Sequence, residues 1–468
     1  MSKKPSPAPV TPSALRWRKL AGALALAVLG ACAPRGPRVP TVPVVVIRDT
    51  VVTPTRPPRD TVSIPATPTA DTAAFPEALL APRVRVGLVV DTSRIEITSA
   101  GAFSVLTDAG QEVARLPAGG TATFADAGGT ITLASRTGAS AGGPGGAGLR
   151  APLVIRPAAP HGTLSVKGQA YRGELVVQDA PRGGLTIVNR LDMETYLLGV
   201  VPREIGNVQA DVFEAVKAQA VAARTYAAIY MGRRSAQGFD VYATVEDQVY
   251  GGQAAEYPLA SRAVRETAGE IITYSGQPIT AYYHSTCAGQ TAAIHEVWNN
   301  APIPYLVAVR DVDPRTGEAY DKVSSRFRWT ERWTHEQLVG ILNRTMADSL
   351  RGRRITRIDD MRVLERTPSD RIRAMRLATD AGTFTLGKDR IRWILTPASR
   401  AGILNSSKFD VRLVREGGRV TEIVAEGGGW GHGIGMCQVG AMGRARAGQD
   451  YRTILRAYYP GTQIVDQY

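Results

Sequence analysis

The sequence predicts an α+β fold: mostly antiparallel β with a few packed helices around a central cleft, preceded by a signal peptide and a disordered linker. Two observations carry this. Short runs that alternate apolar and polar residues outnumber helical patterns. Strands and helices also fail to alternate as βαβ units, which argues against a parallel sheet.

The elements follow in order. Lys3, Lys4, Arg16, Arg18 and Lys19 precede an apolar run, Leu20 to Leu29, of signal-peptide length and too short to span a bilayer. It ends in Leu29-Gly30-Ala31-Cys32, small residues before a cysteine, the form of a lipoprotein signal covering 1–31 with Cys32 as the lipidated residue. The plainer reading is an ordinary signal peptide with a chance cysteine. Residues 32–83 are rich in Pro, Thr, Val and Arg and read as an extended tether. Roughly 50 such residues at about 3 Å each reach on the order of 100 Å. Val84 to Ser135 alternates with turns between and reads as a small antiparallel unit, 84–160. The glycine-rich stretch 137–148 reads as a flexible loop inside it. The remainder, 161–468, is the main domain. Export makes nucleic acid an unlikely partner despite a net charge of +14. Residues 1–31 hold five basic and no acidic side chains, which leaves +9 on the mature chain. Such a chain is drawn to anionic wall or membrane surfaces, or simply reflects an arginine-rich composition.

Within the main domain, 191–226 is the most informative stretch. Phe213, Val216, Ala220, Ala223 and Ala227 mark one apolar helix face, Asp211 and Glu214 suggest a capping box at its start, and Gly232 a stop. Before it, Leu197, Leu198, Val200 and Val201 form an apolar run read as a strand that stops at Pro202. Glu204 is thus expected on a constrained non-helical link, either as a carboxylate facing a cleft or as a solvated loop charge. Glu194, in the same stretch, is expected to be a solvated or structural charge. Further on, Glu331 to Met346 reads as a helix and 371–387 as a hairpin.

Two more segments carry chemistry. In 427–448 no register fits a dinucleotide or P-loop motif, so the glycines are expected to let backbone approach a ligand, with His432 and Gln438 offering polar groups. Alternatively this is a tight buried turn with a structural His432. In 282–291, a strand delivers His284, Ser285, Thr286 and Cys287 to a glycine turn. Cys287 and Cys437 are the cysteines left once Cys32 is lipidated. They form a disulfide, or a zinc set with His284 and His432, or remain free thiols, one of them a nucleophile.

Together these motifs carry a resemblance: the VVPREI and AQAVAARTY text, DQVYGG at 247–252, TAG at 267–269, HSTCAGQT, GHGIGMCQVGA and AYYPGT. The chain resembles the stage II sporulation protein D and amidase-enhancer family from about residue 84 to 466. The resemblance implies a peptidoglycan lytic transglycosylase acting on glycan strands stripped of stem peptides, or a non-catalytic enhancer of a cell-wall amidase. It places the family's catalytic glutamate, in its VV-x-x-E element, at Glu204. Sugar-holding roles are expected for Gln219, Arg224, Gln248, Tyr250, His284, Ser285, His432 and Gln438. One family member binds zinc near the HST segment with different ligand spacing, so no cofactor is expected, with zinc at His284, Cys287, His432 and Cys437 as the alternative. The lipoprotein tether and the glycine-rich loop depart from sporulation proteins. The implied partners are glycan strands, a membrane through the lipid anchor, and a cell-wall amidase. The implied location is the cell envelope. Ala33 after Cys32 favours an outer membrane facing the periplasm where two membranes exist.

Glycosidic cleavage needs an acid to protonate the leaving oxygen, and a hydrolase needs a second carboxylate. A transglycosylase manages with one, because the muramic acid 6-hydroxyl attacks its own anomeric carbon. Such a glutamate is expected to have a raised pKa beside Val200, Val201 and Ile205.

Overall fold

The computed structural model describes residues 81–135, 140–141, 148–206 and 208–468. The expected signal peptide, Cys32 and nearly all of the tether lie outside them. The fold is mixed, with mostly antiparallel strands and a few helices, and among the described residues no sheet closes into a barrel.

The three largest of four apolar clusters among the described residues organise it. In the first, alternating strands between 94 and 187 bury one face each, so Ile95, Ile97, Phe103, Phe124, Ile155, Val177 and Ile187 meet between two sheets. The larger sheet runs Val241–Tyr242, Arg83–Thr92, Leu185–Asp192, Glu174–Asp179, Leu153–Pro157, Phe103–Thr107, Glu112–Leu116 and Ser140–Ala141. Within this sheet, among the described residues, only the contact between Arg83–Thr92 and Val241–Tyr242 is parallel. Strands from either side of residue 160 share these sheets.

The second cluster surrounds two helices, α1 (Met193–Ile205) and α2 (Phe213–Tyr230). α2 is alanine-rich and buried nearly all round. Its small side chains let α1, α2 and their neighbours approach closely. The third cluster, from Trp329 to Ala425, has its own sheets. There Trp329–Thr334 is a strand, and the helix starts only at His335, closed by a capping box between Thr334 and Gln337. The helix expected from Glu331 is therefore shorter, because Trp329, Glu331 and Trp333 alternate inward.

Two local expectations need correction. The run Leu197–Val201 is helix, not strand, and Pro202 lies inside α1. Proline removes a single backbone donor, while Leu197, Val200 and Val201 are completely buried and hold the turn in place. Glu204 therefore sits on the last turn of a helix that Gly206 ends. The capping box at Asp211 and Glu214 is also absent: α2 starts at Phe213 without a side-chain cap. Asp211 instead pairs with Arg446 at 2.7 Å, and Glu214 accepts the amide of Tyr451 at 3.0 Å. Tertiary partners outcompete the local cap.

Candidate active site

The segment DQVYGG docks on α1 at Gly199. A side chain there would meet the Tyr250 ring at 2.5 Å, so only glycine admits the loop. The Gly199 carbonyl accepts the amide of Gly251 at 3.1 Å. This docking brings the Val249 amide to Glu204, where it donates to Oε1 at 2.8 Å. The Tyr283 hydroxyl also faces the carboxyl and pulls its pKa down. Gln248 donates to Tyr283 Oη at 3.0 Å and accepts from the Tyr196 hydroxyl at 3.2 Å. Accepting from Gln248 leaves the Tyr283 O–H free to donate toward Glu204.

Burial raises the Glu204 carboxyl to about 7, against the opposing pull of Val249 and Tyr283. Its side chain still keeps some solvent access. A carboxyl poised near neutrality in a partly open position can give up a proton and take one back.

The segment 432–438 braces this arrangement. Gln438 donates to the Glu204 carbonyl at 3.0 Å and to Gln219 Oε1 at 3.2 Å. His432 Nδ1 accepts the Ile434 amide at 3.0 Å, which leaves Nε2–H to donate to the Tyr283 carbonyl at 2.9 Å. Burial holds His432 at about 4, so it stays neutral. The glycines here allow close approach to the chain itself: a side chain at Gly431 would strike His284 Cβ at 2.7 Å.

Of the residues expected to hold sugar, Gln219, Arg224 and Gln248 have no exposed surface. They build the site instead of facing a ligand. Arg224 is committed to a buried bidentate pair with Glu194, both contacts at 2.7 Å, so Glu194 is structural and not solvated. Tyr250 donates to Asn189 Oδ1 at 2.9 Å and packs its ring on Tyr171 and Tyr196. Ser285 and His432 remain partly exposed. Tyr283 and the Val249 amide were not singled out from the sequence. Their signal was the co-occurrence of DQVYGG and YYHS in one chain.

Cys287 and Cys437 are buried free thiols, brought together by parallel pairing of Tyr283–His284 with Met436–Cys437. The possible disulfide between them is not formed. His284, Cys287 and Cys437 place ligand atoms within 4.8 Å of one another. His284 Nε2 is buried without a hydrogen-bond partner, and two thiols with an imidazole suit zinc. His432 does not join the set, because both its ring nitrogens are engaged by backbone. Cys287 has no exposed surface, and burial pushes its thiol well up, which disfavours a nucleophilic role.

This is a mixed α/β protein whose helix-borne acid is held by a docked loop and a tyrosine. Residues 181–274 match the sequence model of the stage II sporulation protein, and residues 315–435 match a domain of unknown function, DUF8618. The amidase enhancer of Bacillus subtilis is 32% identical over 296 residues, 57% of this chain and 40% of that protein. An uncharacterized protein of Brachyspira hyodysenteriae is 32% identical over 283 residues, covering 60% of this chain and 69% of its own length. Stage II sporulation protein D of Bacillus subtilis is 31% identical over 292 residues, covering 59% and 75%. The chain belongs to the stage II sporulation protein D family.

Proposed function

We propose that the protein is a peptidoglycan lytic transglycosylase that cleaves the bond between N-acetylmuramic acid and N-acetylglucosamine in peptide-free strands. The supporting observation is Glu204, a partly accessible carboxyl raised to about 7 and held by the Val249 amide and the Tyr283 hydroxyl. Protonated Glu204 gives its proton to the glycosidic oxygen as the bond from the anomeric carbon breaks. The 6-hydroxyl oxygen of the same muramic acid then attacks that carbon, and Glu204 takes the hydroxyl proton back. One carboxyl serves both steps. The nearest acid along the loop, Asp247, is committed to Arg234 and to the Tyr242 amide, both at 2.8 Å.

The reading needs no cofactor. Zinc held by His284, Cys287 and Cys437 would tie the strand bearing Tyr283 to the Met436–Cys437 strand that leads into Gln438, a bracing role. Location in the cell envelope, with a lipid on Cys32 facing the periplasm, places the site on its substrate. Among the described residues no helix is long and apolar enough to cross a membrane.

A second reading is favoured by the relative named amidase enhancer: the same cleft binds glycan without cutting it and assists an amidase. Incubation of the protein with peptide-free glycan, read by mass spectrometry, separates the two. Anhydro-muramic ends released by wild type and not by Glu204→Gln support the enzyme. Glycan bound but left intact by wild type supports the enhancer.

A further inference from the structure

From Tyr283 the chain runs on to Thr286, whose amide and carbonyl pair with those of Trp430 at 3.0 and 2.8 Å. Three residues of extended chain span about 10 Å, the length of roughly two sugars. The Trp430 backbone is thus joined to the segment that carries Tyr283, at most about 10 Å along the chain from it. The Trp430 residue is 41% exposed. Two guanidinium groups lie over its ring, Arg326 at 4.9 Å and Arg400 at 5.9 Å from the centroid. Two residues further along the chain from Thr286 and from Arg326, a cavity of about 420 Å³ is bounded by the 288–290 turn and by Arg310, Arg328 and Lys408.

None of these five cations forms an ion pair among the described residues. The acids around them are engaged elsewhere: Asp370, which acts on Lys408, pairs with Arg366 at 3.4 Å, and Asp321 and Glu331 hold backbone amides. Asp321 accepts the amides of Cys287, Ala288 and Gly289 at 2.8, 2.6 and 3.0 Å. Glu331 accepts those of Ala398 and Ser399 at 2.9 and 3.2 Å. Burial lowers Arg400 and Lys408 most; Arg326 then lowers Arg400 against the pull of Glu331, and Arg371 lowers Lys408 against that of Asp370. Arg310, Arg328 and Lys408 around the hollow, with Arg326 and Arg400 at Trp430 and none of the five in an ion pair among the described residues, form a site for an anion.

We propose that this pocket is an anion subsite for the glycan strand, with Trp430 lying against a sugar face and the arginines taking a carboxylate. Planar guanidinium groups match carboxylates in a fork geometry. Muramic acid without its peptide exposes a lactyl carboxylate on every second sugar, whereas an attached peptide converts that carboxylate to an amide. The pocket therefore selects stripped strands by charge. The inference rests on the glycan reading of the Glu204 site, not on cleavage there.

The test uses the full chain carrying Glu204→Gln, so that binding is read without cutting. The probes are peptide-free glycan and the same glycan with its carboxylates capped as methyl amides. Capping is expected to weaken binding tenfold or more, as is the Arg326→Gln/Arg328→Gln double change, and raised salt is expected to weaken only the uncapped interaction. Arg94→Gln, remote from the pocket, should bind as the parent does. Equal binding of capped and uncapped glycan overturns the proposal, as does parental binding by a double variant whose circular dichroism is unchanged. Stronger competition by poly(glycerol phosphate) than by peptide-free glycan also overturns it, because the anion is then phosphate. Carboxylate-dependent binding without anhydro ends from the otherwise unaltered protein would sink the cleavage reading and leave this one standing.

Discussion

The amide of Val249 donates to Glu204 Oε1 at 2.8 Å, across 45 residues of sequence. A backbone donor cannot be titrated away, so it holds the carboxyl in position in either protonation state. Burial outweighs it and raises the carboxyl to about 7. As a general acid, Glu204 must be protonated when substrate arrives. Release of anhydro ends is therefore expected to fall as pH rises through about 7, and a profile flat from pH 5 to 9 would count against the assignment.

The same raised pKa affects stability. Between the ordinary 4.5 and about 7, the native state holds a proton that the unfolded state has lost. Stability is then present in full below about 4.5 and is lost as pH rises through about 7. Glu204→Gln removes that dependence. Urea midpoints measured at pH 5 and pH 8 should drop more in wild type than in the variant, and equal drops would refute the linkage.

Tyr283 faces the Glu204 carboxyl, pulls its pKa down, and receives from Gln248. Tyr283→Phe keeps the ring and removes the donor. A hydrogen bond to a charged group contributes about 1.5–3 kcal/mol, so the alkaline limb of the activity profile should move up by about one pH unit or more. An unchanged limb together with unchanged activity would show that Tyr283 only packs.

From position alone Glu204 reads as a solvated loop charge as readily as a cleft carboxylate, and it is the resemblance carried by VVPREI that singles it out. Its setting was read wrongly. Pro202 signals a break, yet the helix continues because buried neighbours over-determine that turn. Arg224 looked like a sugar ligand because arginines so often serve that role. Its partner Glu194 lies 30 residues away, and no local pattern announces such a pair. Tyr283 stood in plain view in YYHS, but alternation alone does not tell which of two adjacent tyrosines faces an acid supplied by another element.

Glu194 and Arg224 form an ion pair that is nearly sealed from solvent. Removing one charge strands the other, which typically costs about 3–5 kcal/mol. Glu194→Gln is therefore expected to lower the thermal midpoint markedly, while any folded fraction keeps its specific activity. A variant as stable as wild type would mean that the pair is not isolated from water.

Cys32 is expected to carry the lipid. Cys32→Ser should shift the protein from the membrane to the soluble fraction or block its maturation. Membrane fractionation of the variant as before, with no lipid mass on wild type, would exclude the anchor.

The last expectation concerns the buried thiols. Cys287 and Cys437 have no exposed surface, and burial pushes Cys437 up to about 11 and Cys287 well above its ordinary range. The thiolate is the form that alkylating reagents attack. The native protein should therefore keep both thiols intact through hours of iodoacetamide at pH 7.5, with glycan cleavage unaffected, and add two labels only when unfolded. A cysteine nucleophile would behave in the opposite way, reacting first and fastest in the native state and losing activity in proportion. Intact mass and activity measured on the same samples decide between them. A single label matched by lost activity would move the chemistry from Glu204 to Cys287.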